Sequence, residues 1–439
     1  MHKFFKSPFF DFETVRLLGE AVYGGADAAE FLEAVGEIRD NDPVSWNHAW
    51  AKQAEKAEAL ADKASKDGDL IAARRAYLRA SNYTRASGYL FINRPVQDPR
   101  ALPIAEKVIQ LFRKAVKLLD GDVHFLEIPY EGHHLPGYLY LPPSFRRLPG
   151  KVPVVLNCGG ADSIQEELFY LNPAAGPDQG YAVLTFDGPG QGIMLKKHGL
   201  TMRPDWEVVT SQIVDYLTDY ATWHPELELD LDRLSVSGAS MGAYYALRAA
   251  SDPRFKACVA IDPFFDMWDF GTAHISTTFI GLWTGGWLGD GTVNSIIGLM
   301  SKLAFQLKWE VGIAGAFFGI DDPSSILREM KKYTLRLKEG GSFLDRVKCP
   351  VLVSGAGESL YLNKDVHAMN VYRALDHLKE GKRELWMPET PGEGSLQAKM
   401  GALPLCNQHT FRFLDKHLEV GRESLFSKLD RDQAAAVPK

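Results

Sequence analysis

Between residues 45 and 91 the chain reads SWNHAWAKQAEKAEALADKASKDGDLIAARRAYLRASNYTRASGYLF, with apolar residues returning every three to four positions. That period, together with the abundance of Ala, Leu, Lys and Arg, predicts a helical hairpin. Asp69 follows a glycine and is placed to cap its second helix. Helical stretches flank the hairpin, so residues 1–118 are expected to form a helical N-terminal domain. The period changes near residue 121. HFLEIPYEGHHLPGYLYLPP reads as two strands joined by a polar turn at Glu131–His134. Short apolar runs then alternate with helical ones: VPVVLNCGG, YAVLTFDGPGQG, RLSVSGASMG, KACVAIDPF, CPVLVSGAGES and RELWMPETPGEG, with a closing helix ending near Leu418. Continuous apolar strands alternating with helices predict an α/β protein with a mostly parallel sheet covered on both faces. The core is expected over 119–265 and 346–439. Residues 266–345 interrupt it with apolar segments ISTTFIGLWTGGWLG, SIIGLMSKLAFQL and VGIAGAFFGI, which read as a helical lid insertion. Their wealth of Gly, Phe and Trp and scarcity of charge suit the wall of a substrate cavity, or plain packing on the N-terminal helices.

One motif carries chemistry. Gly238-Ala239-Ser240-Met241-Gly242 follows an apolar strand, Leu234–Ser237, and opens a helix near Ala243. Strand, G-x-S-x-G, helix is the pattern of a nucleophile elbow, in which a sharp turn lifts the serine out at a helix N-terminus. The Met241 N–H and one from Gly159, Gly160 or Ala161, after the strand VPVVLNC, are the expected oxyanion donors.

With the elbow placed, IPYEGHHLPGYLYLP, NCGGADSIQEE, TFDGPGQG, RPDWEVV and SGASMGAYYALRAA resemble the FrsA-like α/β-hydrolases, over roughly residues 40–420. This group includes 2,6-dihydroxypseudooxynicotine hydrolase and fungal heptaketide hydrolases. The tail SLQAKMGAL looks most like a fungal subgroup from fusarin- and cytochalasan-type pathways. The resemblance implies an α/β-hydrolase fold. It also implies cleavage of an ester, thioester or C–C bond in a polyketide-type substrate, or assistance to ring closure.

The acid of a serine triad should follow the strand PVLVSG. Glu358, in the Gly355-Ala356-Gly357-Glu358 turn, is the candidate, with Asp365 as the alternative. The histidine should come next, in the loop PETPGEGSLQAKMGAL, which contains none. Counting back from Phe413–Asp415, Gln397 stands where family members carry it. Glutamine donates and accepts hydrogen bonds but takes no proton from a serine. His133, His134, His274, His367, His377, His409 and His417 are the histidines weighed as replacements. Asp162, Glu166, Asp205 and Glu207 are weighed as acid or base, against roles in capping and ion pairing. Asp187 is expected to hold its glycine-rich loop. Three functions follow: serine hydrolysis, a non-hydrolytic cyclase or condensation catalyst, and a non-catalytic scaffold, which the intact elbow argues against.

Composition narrows the partners. A net charge of −7 and an isoelectric point near 6.0 give no footprint for nucleic acid or an anionic membrane. The four cysteines show no C-x-x-C spacing and read as buried thiols. Without HExxH, a P-loop or a strand-borne G-x-G-x-x-G, no metal or organic cofactor is expected. The basic start lacks a clean apolar stretch and a small-residue cleavage site, and no run of 18 apolar residues occurs, so a soluble cytoplasmic protein acting on a hydrophobic small molecule is the expectation. Relatives of this family commonly dimerise. The N-terminal helices could supply a homodimer interface or pack on the chain's own lid.

Overall fold

The computed structural model describes residues 1–422 apart from Asn93, Pro95 and His274. His274, weighed above as a base, therefore lies outside the described residues. The chain opens with α1 (Pro8–Gly19), α2 (Ala28–Glu37), α3 (Pro43–Lys66), α4 (Leu70–Tyr89) and α5 (Ala101–Val116). α3 and α4 form the expected hairpin. Asp69 caps α4 by accepting from the Ala72 N–H at 3.0 Å, which satisfies a donor that the first helical turn leaves without a partner.

The antiparallel pair β1 (Val123–Tyr130) and β2 (His133–Tyr140) follows, then β3 (Val152–Cys158), α6 (Gln165–Leu168), β4 (Ala182–Phe186), α7 (Gly192–His198) and α8 (Trp206–Trp223). The nucleophile strand β5 (Leu229–Ala239) runs into α9 (Met241–Ala249), and β6 (Ala257–Ile261) comes next. The insertion is α10 (Met267–Thr272), α11 (Thr277–Thr284), α12 (Asp290–Leu303), α13 (Phe305–Phe318) and α14 (Pro323–Met330). β7 (Val351–Ser354), α15 (His367–Ala374), β8 (Arg383–Trp386) and α16 (Leu403–His417) complete the described chain. The apolar run 295–307, expected as one segment, breaks at Ala304, whose backbone is extended (φ −124°, ψ 110°). The break sets Phe305 and Trp309 of α13 against Phe10 and Phe9 of α1.

The eight strands form one sheet in the order β1-β2-β4-β3-β5-β6-β7-β8. β2 pairs antiparallel with β4, and the pairs from β4 to β8 are parallel. This is the α/β-hydrolase fold. Alternate residues of the central strands feed two cores. Val154, Leu156 and Leu184 join Trp206, Ile213 and Leu247 on one face. Val155 and Val183 join Phe9, Trp50, Tyr83 and Leu414 on the other. The second face is thus shared by α16 and the N-terminal helices. Burial on both faces is why the strands read as unbroken apolar runs. All four cysteines are free and buried. No helix among the described residues is long and apolar enough to cross a membrane.

Candidate active site

Ser240 stands at the turn between β5 and α9 with φ 56° and ψ −118°, a conformation costly for a residue with a side chain. Its N–H donates to the Ile261 carbonyl at 2.8 Å, fixing the turn to β6. The flanking glycines are required sterically. A Cβ at Gly238 would lie 2.1 Å from the Gly242 carbonyl oxygen, and one at Gly242 would lie 2.3 Å from that of Cys158. Met241 is the first residue of α9, so its N–H has no carbonyl within the helix to bond.

The loop after β3 is held from behind by Gln191, a residue the sequence reading did not single out. Its Nε2 donates to the carbonyls of Gly159 and Gly160 at 2.9 and 3.0 Å, and its Oε1 accepts from Gly188 N–H at 3.0 Å. With the carbonyls of Gly159 and Gly160 turned back to Gln191, the loop that holds Gly160 and Ala161 is fixed beside the elbow. Asp187 anchors the same region, accepting from the N–H groups of Gln165 and Ile193 at 2.9 and 3.2 Å.

Gln397 is buried. Its Oε1 accepts from Ser359 Oγ at 2.7 Å, and its Nε2 donates to the Asp262 carbonyl at 3.3 Å, one residue beyond the carbonyl that holds Ser240. Glu358 does not meet it. The Glu358 side chain is exposed and accepts only a 3.4 Å bond from Ser395, while Asp365 is exposed as well. The loop thus delivers Ser359, the neighbour of the expected acid, to the glutamine. Ser240 Oγ has no hydrogen-bond partner among the described residues, histidines included. His409 stacks on Trp386, His377 is bonded to the Val347 carbonyl, and buried His367 accepts from Phe265 N–H. His133 contacts His198, and His417 lies against Phe413.

Beneath Gln397 lies a buried ion pair that sequence spacing did not reveal. Lys399 Nζ is 2.7 Å from Asp262 Oδ1 and 3.2 Å from the Gly355 carbonyl, and both charged side chains are nearly inaccessible. Ser354 Oγ also donates to Asp262 at 2.8 Å. Ala398 and Lys399 both take positive φ, 55° and 59°, to bring the loop round.

A second network ties α1 to the loop after β3. Arg16 donates in bidentate fashion to Glu167, both bonds 2.7 Å, and to Asp162 at 2.7 Å. Tyr89 donates to the same Asp162 oxygen at 2.5 Å. Burial pushes the Asp162 carboxyl up, but Arg16 and Tyr89 outweigh it and hold it below its usual range. Glu13 and Glu20, in the same network, are pushed up by burial to about 7 and about 8. Burial and Asp187 push Glu166 up to about 8, and burial pushes Asp187 up to about 6. Asp205 and Glu207 pair instead with Arg203 and Arg248.

A cavity of about 570 Å³ opens beside the loop, lined by Ala161, Asp162 and Ser163, by Tyr89, and by Ala316 and Phe317 of α13. Ser240 is not among its lining residues.

The elbow, the glycine loop and the order of strands together match one family. The model of the group described as esterase FrsA-like covers residues 26–268. The chain belongs to the FrsA-like esterase family. It is 61% identical over 436 residues to the hydrolyase ccsE of Aspergillus clavatus, spanning 97% of this chain and 100% of that protein. It is 58% identical to the hydrolase pyiE of Pyricularia grisea, over 97% and 99% of the two chains. The alpha/beta hydrolase psoB of Aspergillus fumigatus is 49% identical, over 97% and 96%. Among solved structures, 2,6-dihydroxy-pseudo-oxynicotine hydrolase superposes with a TM-score of 0.66 at 21% identity, covering 93% of this chain and 97% of that one, which establishes the shared fold. As an FrsA-like chain this protein is an α/β-hydrolase-family enzyme.

Proposed function

We propose that this FrsA-like enzyme grips a carbonyl of an apolar, polyketide-type substrate with N–H donors of Met241 and the Gly160–Ala161 loop, and forms its product by condensation or ring closure without turnover of an acyl-serine. The observation that carries the reading is Gln397. It occupies the loop from which a triad draws its proton acceptor, and both ends of its amide are engaged, by Ser359 and the Asp262 carbonyl. An amide accepts no proton at neutral pH. Without a general base the acyl route slows by about 10²- to 10⁴-fold, whereas oxyanion donors still polarise a carbonyl. A carbon nucleophile of the substrate then adds to that carbonyl, and the resulting hydroxyl is retained or departs as water. Among the relatives, the name hydrolyase from Aspergillus clavatus agrees with this reading, and the name hydrolase from Pyricularia grisea with the second one below.

The strained backbone of Ser240 favours a second reading, hydrolysis of an ester, thioester or C–C bond through a covalent Ser240 intermediate. Such strain is kept where function needs it. Intact-mass labelling with a fluorophosphonate, wild type beside Ser240→Ala, separates the two. The condensation reading expects no labelling of the folded wild type on the minutes scale, and products isomeric with the substrate or one water lighter. Rapid labelling that vanishes in Ser240→Ala overturns it in favour of hydrolysis.

A further inference from the structure

The cavity beside the loop after β3 contains an amine that neither reading uses. Lys196 stands on α7 and lines the cavity together with Ala161, Asp162 and Phe317. The other lysine and arginine side chains lining it are engaged. Arg94 pairs with Asp321 at 3.2 Å, Lys197 with Glu106 at 3.1 Å, and Arg85 with Glu167 at 2.9 Å. Lys196 makes no hydrogen bond or ion pair among the described residues. Its charge is felt by Asp187 and Glu166, which favour the ammonium, and by Arg85, which opposes it. Burial is the largest influence and lowers its pKa. Burial thus favours the neutral amine, the form in which a lysine acts as a nucleophile.

We propose that Lys196 is a nucleophile that captures a ketone or aldehyde in this cavity as a covalent imine. The Nζ lone pair adds to the carbonyl carbon, and the carbonyl π electrons move to oxygen. That oxygen leaves as water carrying the two protons the amine has lost. No oxidation or reduction takes place. Solvent in the open cavity lends a proton to the departing hydroxyl and takes one back from nitrogen. With a 1,3-diketone the imine settles as the conjugated enaminone, which needs no reductant to be trapped. The inference stands on the cavity and the unpaired amine, independently of how Ser240 acts.

The test uses the full-length protein and 2,4-pentanedione at pH 7.5, followed by intact mass and peptide mapping. The expected first event is a gain of one dione less one water on the peptide containing Lys196, at least tenfold faster than on any other lysine. Lys196→Arg should abolish that fast phase, and Lys197→Arg should retain it. Adducts spread over exposed lysines at similar rates, or a fast phase unchanged in Lys196→Arg, would overturn the proposal. The wild-type peptide map decides alone if the arginine variant does not fold. Fluorophosphonate labelling of Lys196→Arg, compared with wild type, reports the Ser240 chemistry separately.

Discussion

Gln397 concentrates the chemical question into one side chain. Its Oε1 is bonded to Ser359 Oγ and its Nε2 to the Asp262 carbonyl, so the amide is fixed in the loop where the family resemblance puts the relay base. Lys399, two residues on, does not fill the role, because its ammonium is bound between Asp262 and the Gly355 carbonyl. Replacing the glutamine should therefore restore what is missing. Gln397→His is expected to raise hydrolysis of a p-nitrophenyl ester by about 10²-fold, the usual worth of a positioned general base. The gain should appear above pH 6.5, where imidazole is neutral. Adding Ser359→Asp supplies the carboxylate that the wild-type loop leaves exposed at Glu358, and should increase the rate again. Ester turnover by both folded variants no faster than wild type would mean that position 397 does not address Ser240.

At the scale of elements, α1 touches three loops of the site. Arg16 bonds the loop after β3, Phe12 packs edge-on against Tyr361 at 5.8 Å, and Gly19 abuts Gly401 so closely that a Cβ would lie 2.7 Å from its nitrogen. The attachment is electrostatically unbalanced. Arg16 and Arg85 face Glu13, Glu20, Asp162 and Glu167, two guanidinium groups against four carboxyls. Burial resolves the excess by keeping protons on Glu13 to about pH 7 and on Glu20 to about pH 8. In the unfolded chain both ionise near 4.5. Between those values the folded state binds more protons, so stability falls as pH rises. For Glu13 the full loss is about 3 kcal/mol, reached once pH exceeds about 7. Melting temperatures measured from pH 5 to pH 8 should carry this decline in the wild type, set against an opposite slope from His367, His409 and His417, whose pKa values burial lowers. The decline should be shallower in Glu13→Gln, which mimics the protonated group. Raised pKa values at Glu166 and Asp187 leave a residual slope of the same sign. Parallel profiles for the two proteins would refute the assignment. This element also shows what the sequence makes legible. The elbow was readable because strand, glycines, serine and helix adjoin, and Gln397 because it lies a countable distance before the closing helix. Arg16 meets Glu167 across 151 positions and Lys399 meets Asp262 across 137, and no local period encodes such pairs. The expected partnership of Glu358 failed for a similar reason: the turn that brings Ser359 to Gln397 is set by the positive φ values at Ala398 and Lys399, at residue types that do not announce them.

Across the whole molecule, Trp309 links the insertion to that same network. Buried on α13, it donates from Nε1 to the Tyr89 carbonyl at 3.0 Å, and its ring lies 4.9 Å from Phe9 and 5.2 Å from Tyr89. Tyr89 in turn holds Asp162 beside Ala161. The insertion, the N-terminal helices and the loop after β3 are thus joined through three aromatic side chains and one carboxylate. They share the apolar cluster that fills one face of the sheet. If these parts fold as one unit, Trp309→Ala should lower a single unfolding transition by about 3–5 kcal/mol, the common cost of emptying a buried tryptophan site. It should also loosen Tyr89, and with it the anchoring of Asp162, so amide hydrogen exchange over residues 159–164 should accelerate in the folded variant. If the insertion is instead an independent lid, calorimetry would split into two transitions, and exchange at 159–164 would stay at the wild-type rate. The first outcome makes the aromatic contacts part of the apparatus that holds the loop after β3 beside the elbow. The second would confine them to the attachment of a separable cover.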